Sequence, residues 1–297
     1  TCNAAPWLGE QLALLSRQTL LPDEILVVDS ASTDGTQDIA RNAPQVELIP
    51  IARQSFDHGG TRSMAARHSR GDVLVFLTQA ALPANEHCLS LLTKPLRENT
   101  QIAVTYGRQL PHRDATPFAT HLRLFNYPAL DEKPRCFADR QQMGLRTIFS
   151  SNSCAAYRRD ALAAAGYFPE QLLLGEDTYT VAKILELGYC VQYCHGAQVL
   201  HSHNYTIKDE VRRYFDIGAF HADASELLAT YGGAGGTGRR FVFSELRYLS
   251  SRRLYQLLPL SLLRSAMKLI AYKMGRKACY LPKALARRLS MRPGWWS

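Results

Sequence analysis

The chain has 297 residues, 46% hydrophobic and 21% charged, which suits a globular, enzyme-sized protein with one sizeable core or one core and an appendage. Its net charge of +9 is unevenly placed: residues 239–297 hold 14 Lys/Arg against the single acid Glu245, so the basicity belongs to the tail. Apolar runs stop short of the ~20 residues that a membrane span needs, and no signal peptide is visible. Seven cysteines (Cys2, Cys88, Cys136, Cys154, Cys190, Cys194, Cys279) include no CxxC pair, which argues against a disulfide framework and for a reducing cytoplasm.

In chain order, Pro6 to Gln18 carries Leu8, Leu12 and Leu15 at helical spacing, and Glu24 to Asp29 reads as a strand. The following Asp29-Ser30-Ala31-Ser32-Thr33-Asp34-Gly35-Thr36 suits a loop that reads a base and ribose by hydrogen bonds, with Thr33 or Asp34 capping the next helix; alone, it is equally a helix-capping turn. Val46 to Ile51 is a short strand leading into Phe56-Asp57-His58-Gly59-Gly60-Thr61-Arg62-Ser63 and a helix through His68. Two glycines at a helix start let backbone N–H groups approach an anion, and Arg62 adds a fork suited to phosphate; the plainer reading is a Gly-rich cap with a surface Arg.

Gly71 to Leu77 is a continuous apolar, β-branched strand that ends in Thr78-Gln79-Ala80-Ala81, where an open α/β sheet delivers reactive groups. Ile102 to Gly107 is another strand, and the irregular stretch Arg108 to Gln142 is long enough to be functional. Next come Phe149-Ser150-Ser151-Asn152-Ser153-Cys154-Ala155-Ala156-Tyr157-Arg158-Arg159 and then Gly175-Glu176-Asp177, which opens a helix whose macrodipole alone could explain the paired acids. Val191 to Tyr193 and Gln198 to Leu200 lead to His201-Ser202-His203. Histidines two apart on an extended segment face opposite ways, so both meet one ion only if the backbone turns. Glu210 to Tyr231 is helical, and a formal G-x-G-x-x-G from Gly233 follows a helix, so it reads as a hinge. Beyond Arg239, bases interleave with Leu254, Leu257, Leu258, Leu262, Leu263, Met267, Ile270 and Ala271, ending in Trp295-Trp296. This suits an amphipathic helix on an anionic membrane face, or a helix pair with a solvated basic side. No nucleic-acid motif accompanies these charges, so nucleic acid is not expected as a partner.

These strings together resemble the family 2 glycosyltransferases, and among them the bacterial rhamnosyltransferases that use dTDP-L-rhamnose. The string from His58 to Ser63 is close to their HGGTRN, and Ser151 to Arg159 is similar to SNxCAAYRR. Thr78-Gln79-Ala80-Ala81 stands where they carry Thr-Gln-Asp-Ala, and Thr1-Cys2-Asn3 where they carry Thr-Tyr-Asn after a first strand. A sheet without that strand would leave edges unpaired, implying a truncated or renumbered start.

The resemblance implies a GT-A fold: an α/β, Rossmann-like, mixed but mostly parallel sheet flanked by helices over residues 1–205, with a helical, basic C-terminal region over 206–297. It implies donor-binding roles for Thr1, Asn3, Asp29, Ser32, Asp34, His58, Gly59, Gly60, Arg62, Thr78, Gln79 and Asn152. Asp177, with Glu176 beside it, would be the general base. Mg²⁺ or Mn²⁺ would sit at His201 and at position 80, with His203 a lesser ligand. The expected reaction is inverting transfer of L-rhamnose from dTDP-β-L-rhamnose to a lipid-linked saccharide of a surface polysaccharide, at the cytoplasmic face of the bacterial inner membrane. Ala80 removes the expected carboxylate. This implies a transferase disabled by substitution, or a natural protein that binds a nucleotide sugar without transferring it; a UDP-hexose transferase is the other alternative.

Overall fold

The computed structural model describes residues 1–130, 133–232 and 236–296; the glycine string beginning at Gly233 therefore lies partly outside the described residues. Its first half alternates strands and helices: α1 (Ala5–Leu15), β1 (Ile25–Ser30), α2 (Thr36–Arg41), β2 (Val46–Ile51), α3 (His58–His68), β3 (Val73–Leu77), β4 (Leu82–Pro83), α4 (Cys88–Glu98) and β5 (Ile102–Leu110). Then come α5 (Pro117–Asn126), β6 (Arg135–Cys136), α6 (Arg140–Met143), β7 (Cys154–Arg158), α7 (Arg159–Ala164), α8 (Glu176–Glu186) and β8 (Cys190–Leu200). Five further helices follow: α9 (Ile207–Asp223), α10 (Ser225–Tyr231), α11 (Thr237–Ser251), α12 (Leu258–Gly275) and α13 (Lys283–Leu289).

The strands form a parallel pair, β1–β2, and a six-stranded sheet in the order β3-β7-β5-β8-β4, with β6 also on β8. The six-stranded sheet is mixed, and its longest ladder, β5–β8, is parallel, as is the separate β1–β2 pair. No ladder joins the two sheets among the described residues. Thr1 lies along β1, its amine donating to the Val28 carbonyl and its own carbonyl accepting from Ser30 N–H. The core is apolar as the strand patterns require: Leu74, Val104, Ala155, Tyr157, Val191 and Tyr193 are buried between helices, with Phe168, Ile184 and Leu185 packed on them. Phe220, Leu227 and Tyr231 of α9 and α10 join that same core.

Two features depart from the sequence expectation. The segments 191–193 and 198–200 are one eleven-residue strand, irregular at its pairing with Gly107 and Arg108 of β5. The polar Cys194-His195-Gly196 in its middle masked the continuity. Secondly, Cys136 and Cys190 form a disulfide, because β6 pairs antiparallel with the start of β8 and sets those two residues opposite each other, Cα atoms 4.4 Å apart. Their 54-residue separation gave no spacing signal.

Candidate functional site

The strand ends converge on one edge. Leu77 of β3 pairs with Cys154 of β7, and Thr78 N–H donates to the Ser153 carbonyl, so the 78–81 turn lies beside Asn152 and Ser153. β4 then pairs with the end of β8, Leu82 opposite Leu200, which carries the turn next to His201. The turn is held by others: Gln11 of α1 donates its amide to both the Thr78 and Ala81 carbonyls, at 2.9 and 2.8 Å. Gln79 is likewise engaged, accepting from Cys2 N–H at 2.9 Å and donating to the Cys2 carbonyl. The Thr78 hydroxyl is buried without a partner.

That Gln79 clasp links the turn to the Asp29–Asp34 loop. Asn3 N–H donates to Ser32 Oγ, and Asn3 Oδ1 accepts from Thr33 N–H. Asp29 is fully buried, and despite burial its carboxyl is held below the usual range by hydrogen bonds from Ser32, Gln37 and Thr1. Asp34 accepts from the Thr36 amide and hydroxyl and from Ala5 N–H, so it ties together the starts of α1 and α2. Its Oδ1 meets the amide of Thr36, the first residue of α2, but the N-cap is Gly35, in the left-handed conformation and without a side-chain cap, so neither Thr33 nor Asp34 is the capping residue expected.

The glycine-rich string takes a different form from an open anion cradle. Asp57 caps α3, its Oδ2 accepting from Gly60 N–H at 2.7 Å, so that donor is already used. A Cβ at Gly59 would lie 1.8 Å from the Pro169 carbonyl oxygen, so the glycine serves close backbone packing. Arg62 is no free phosphate fork either: its guanidinium reaches Glu176 at 2.6 Å. His58 Nδ1 stands 3.4 Å from the same guanidinium. No spacing in the sequence announces this pair, whose members lie 114 residues apart.

Gly175, at φ 83°, turns the chain into α8, and a Cβ there would collide with the Phe220 ring of α9 at 2.4 Å. Glu176 and Asp177 therefore occupy the first turn of α8, where the helix dipole favours negative charge. Arg62 neutralises Glu176 and leaves Asp177 without a direct cation. Burial first, then the like charge of Glu176, push Asp177 up to about 6 against the pull of Arg62. Asn152 is close to Asp177 through its backbone and accepts from Tyr157 OH at 2.8 Å, while its side-chain amide nitrogen is buried and unpartnered. The rest of that string, Cys154 to Tyr157, is fully buried in β7 and forms core rather than cleft lining. Arg159 ties the Gly71 and Ser69 carbonyls.

At the end of β8 the backbone does turn, bringing the His201 and His203 rings to 4.9 Å at their centroids, with His203 stacked on Tyr205. Burial and the positive charge of Arg123 lower both imidazoles, His201 to about 3 and His203 to about 4, so both are neutral at ordinary pH. Two residues that the sequence reading missed orient His201. Gln109 Oε1 faces His201 Nδ1 at 2.9 Å and also accepts from Arg123 at 2.6 Å. A carbonyl oxygen can only accept, so Nδ1 carries the hydrogen and Nε2 keeps its lone pair. Gln109 closes a strand and Arg123 sits mid-helix, positions that carry no sequence signal of a site.

Mg²⁺ and Mn²⁺ prefer oxygen ligands. Among the described residues no group of three or more His, Cys, Asp or Glu side chains is placed to hold an ion. Ala80 supplies only a methyl, so one oriented imidazole stands where a carboxylate and an imidazole were expected. The residues present do not complete a site for that ion.

The sequence matches the profile of Glycosyl transferase family 2 over residues 1–166. It is also 40% identical over 298 residues to the O-antigen chain rhamnosyltransferase RfbN of Salmonella typhimurium, covering 100% of this chain and 94% of that protein. The chain belongs to glycosyltransferase family 2. A second relative of this glycosyltransferase, the O-antigen chain rhamnosyltransferase WbaN of Salmonella anatum, is 40% identical over 300 residues with the same coverage, 100% and 94%. Among solved structures, the mannosyltransferase PcManGT from Pyrobaculum calidifontis, in complex with GDP-Man and Mn²⁺, superposes with a TM-score of 0.60. It is 19% identical and covers 99% of this chain and 85% of that one. S. aureus TarS 1-349 gives 0.52 at 16% identity, covering 94% and 89%. These likenesses show the GT-A fold of the family 2 glycosyltransferase.

Proposed function

We propose that this glycosyltransferase is an inverting rhamnosyltransferase of O-antigen synthesis, moving L-rhamnose from dTDP-β-L-rhamnose to a hydroxyl of a lipid-linked oligosaccharide. The arrangement that supports the reaction type is the Arg62–Glu176 pair beside Asp177. It leaves one half-buried carboxylate whose affinity for a proton lies near neutrality, as a general base requires. The donor sugar and the acceptor class rest on the full-length similarity to two O-antigen chain rhamnosyltransferases.

In this reading Asp177 accepts the proton of the acceptor hydroxyl as its oxygen attacks the anomeric carbon. The new C–O bond forms opposite the breaking bond to the diphosphate, dTDP leaves, and the product is an α-rhamnoside. The Asp29–Asp34 loop and Thr1–Asn3 flank the base and ribose, with Asp29 and Asp34 as much scaffold as ligand because neighbouring donors already occupy their oxygens. His58, Arg62 and Asn152 border the sugar and phosphates, and the orphaned Asn152 amide is a donor available to a ligand oxygen. With Ala80 in the turn, transfer by this chain is slow, because the charge of the diphosphate leaving group lacks the cation that a carboxylate at position 80 would help to hold.

The test is release of dTDP from dTDP-L-rhamnose with Mg²⁺ or Mn²⁺ and a lipid-linked acceptor extract, for this chain and its Ala80→Asp form. Turnover by the Asp form supports the assignment. Turnover by neither form, while a panel of nucleotide sugars shows tighter binding of a UDP-hexose, would replace the donor. Ala80 specifically favours a second reading, a nucleotide-sugar-binding protein without transfer, which predicts donor binding and no dTDP release from either form.

A further inference from the structure

Helix α12 is built inside out. Its buried side consists of Ser261, Arg264, Lys268, Ala271 and Gly275. Arg264 and Lys268 both turn inward onto Glu210 of α9, at 3.0 and 3.7 Å. Arg264 also donates to the Tyr205 carbonyl and lies over the Phe118 ring, and Lys268 lies over Phe241. Ser261 donates to the buried Glu245 carboxylate at 2.6 Å. At Gly275 and Gly218 the backbones of α12 and α9 touch, leaving no room for side chains between them. The polar and small residues are thus the packing face.

Leu262, Leu263, Leu269 and Ile270 consequently point outward, each just over half exposed, between 51% and 54%. At 3.6 residues per turn these four lie within one third of the helix circumference, with Ala266 between them. No element among the described residues covers them. The stripe is bracketed by cations: exposed Arg252 and Arg253 precede the helix, Lys273 continues the same face one turn on, and Lys277 follows. No acidic residue occurs after Glu245, so the chain on both sides of the stripe carries only positive charge.

We infer that this stripe is the surface by which the protein docks on an anionic lipid bilayer, the four aliphatic side chains entering the acyl boundary while the bracketing cations meet phosphate headgroups. The inference rests on the proposed lipid-linked acceptor, which would need the catalytic edge held near a membrane. An apolar stripe flanked along the chain by one sign of charge matches a surface that is apolar inside and negative outside. Helix α12 is the wrong shape for a span, and no helix among the described residues is long and apolar enough to cross a membrane. It also revises the tail's expected geometry: Trp296 packs on Phe215 and is not a membrane anchor.

The experiment is vesicle flotation of the full chain with phosphatidylcholine alone and with phosphatidylcholine containing phosphatidylglycerol. Two variants are compared: Leu262→Gln/Leu263→Gln/Leu269→Gln/Ile270→Gln, and Arg252→Gln/Arg253→Gln/Lys273→Gln/Lys277→Gln. Sedimentation velocity, thermal melting and dTDP-L-rhamnose binding are measured on each. The unmodified chain is expected to float with the anionic vesicles only. Each variant should lose at least tenfold in partitioning while melting and donor binding are unchanged. An apolar variant that floats as well as the unmodified chain overturns the inference, as does an unmodified chain that ignores both vesicles. A chain that is dimeric and becomes monomeric in the apolar variant assigns the stripe to a second copy instead. Loss of donor binding by the unmodified chain would sink the dTDP-rhamnose reading and leave the flotation result standing.

Discussion

The two corners of the candidate site differ in how much of their chemistry is already assembled. Around Asp177, charge is arranged before any substrate arrives: Arg62 takes Glu176 at 2.6 Å, Gly175 turns the chain into α8, and the odd carboxylate is left with a raised proton affinity. Around residue 80, only the support is assembled. Gln109 and Arg123 orient His201, Gln11 and Gln79 hold the turn, and the group they would position is a methyl. The difference teaches that scaffold and side chain are separable: one corner holds a carboxylate within its scaffold, and the other holds a methyl.

The sharpest way to break this contrast is to remove the assembled carboxylate. In an Ala80→Asp background, Asp177→Asn should lower sugar transfer about 10³-fold, as loss of a general base does, while dTDP-L-rhamnose binding measured by calorimetry stays within a few fold. A drop in binding as large as the drop in rate would make Asp177 a donor ligand instead. Next in size, Ala80→Asp alone should raise Mg²⁺- or Mn²⁺-dependent transfer about 10²-fold, the scale of one electrostatic stabiliser of a transition state. An equal gain in the presence of EDTA would show that the turn corner acts without a cation.

A smaller effect is the pH profile of the Ala80→Asp form. Transfer should rise about tenfold per unit on the acid side and level off above pH about 6, where Asp177 is ionised. Glu176→Gln removes the like charge and releases Arg62, so the acid limb should move to lower pH; a limb that stays put would assign it to another group. The smallest effect is on stability. The proton affinity of Asp177 is raised from 3.8 to about 6 in the folded protein. The folded state therefore holds that proton over a range where the unfolded chain has lost it, and stability falls as pH rises from about 4 to about 6. At pH 8 the ionised group costs roughly 3 kcal/mol, so Asp177→Asn should raise the melting temperature by a few degrees at pH 8 and leave it unchanged at pH 3.5. A variant that melts lower at pH 8 would mean that the charge is stabilising.

Much of this was legible in the sequence because it depends on local rules. Strand endings after β-branched runs, the Asp57-Gly59-Gly60 helix start and the acids opening α8 are set by residues within a few positions of one another. What stayed hidden depends on partners far along the chain. Arg62 looked like a phosphate fork because its carboxylate lies 114 residues on. The disulfide needed β6 to find β8 across 54 residues. The outward leucines of α12 were legible as one face of an amphipathic helix, but only the packed structure shows that Glu210 draws Arg264 and Lys268 inward and turns that face outward.

The latch from Gln11 has a consequence for how such a site can change over generations. Its amide binds the Thr78 and Ala81 carbonyls, and both of these are main-chain atoms. The path of the turn is therefore indifferent to the side chain carried at position 80. On the proposed reading, a single codon would decide whether this turn offers a carboxylate or a methyl, while the main-chain bonds that hold its path stay the same.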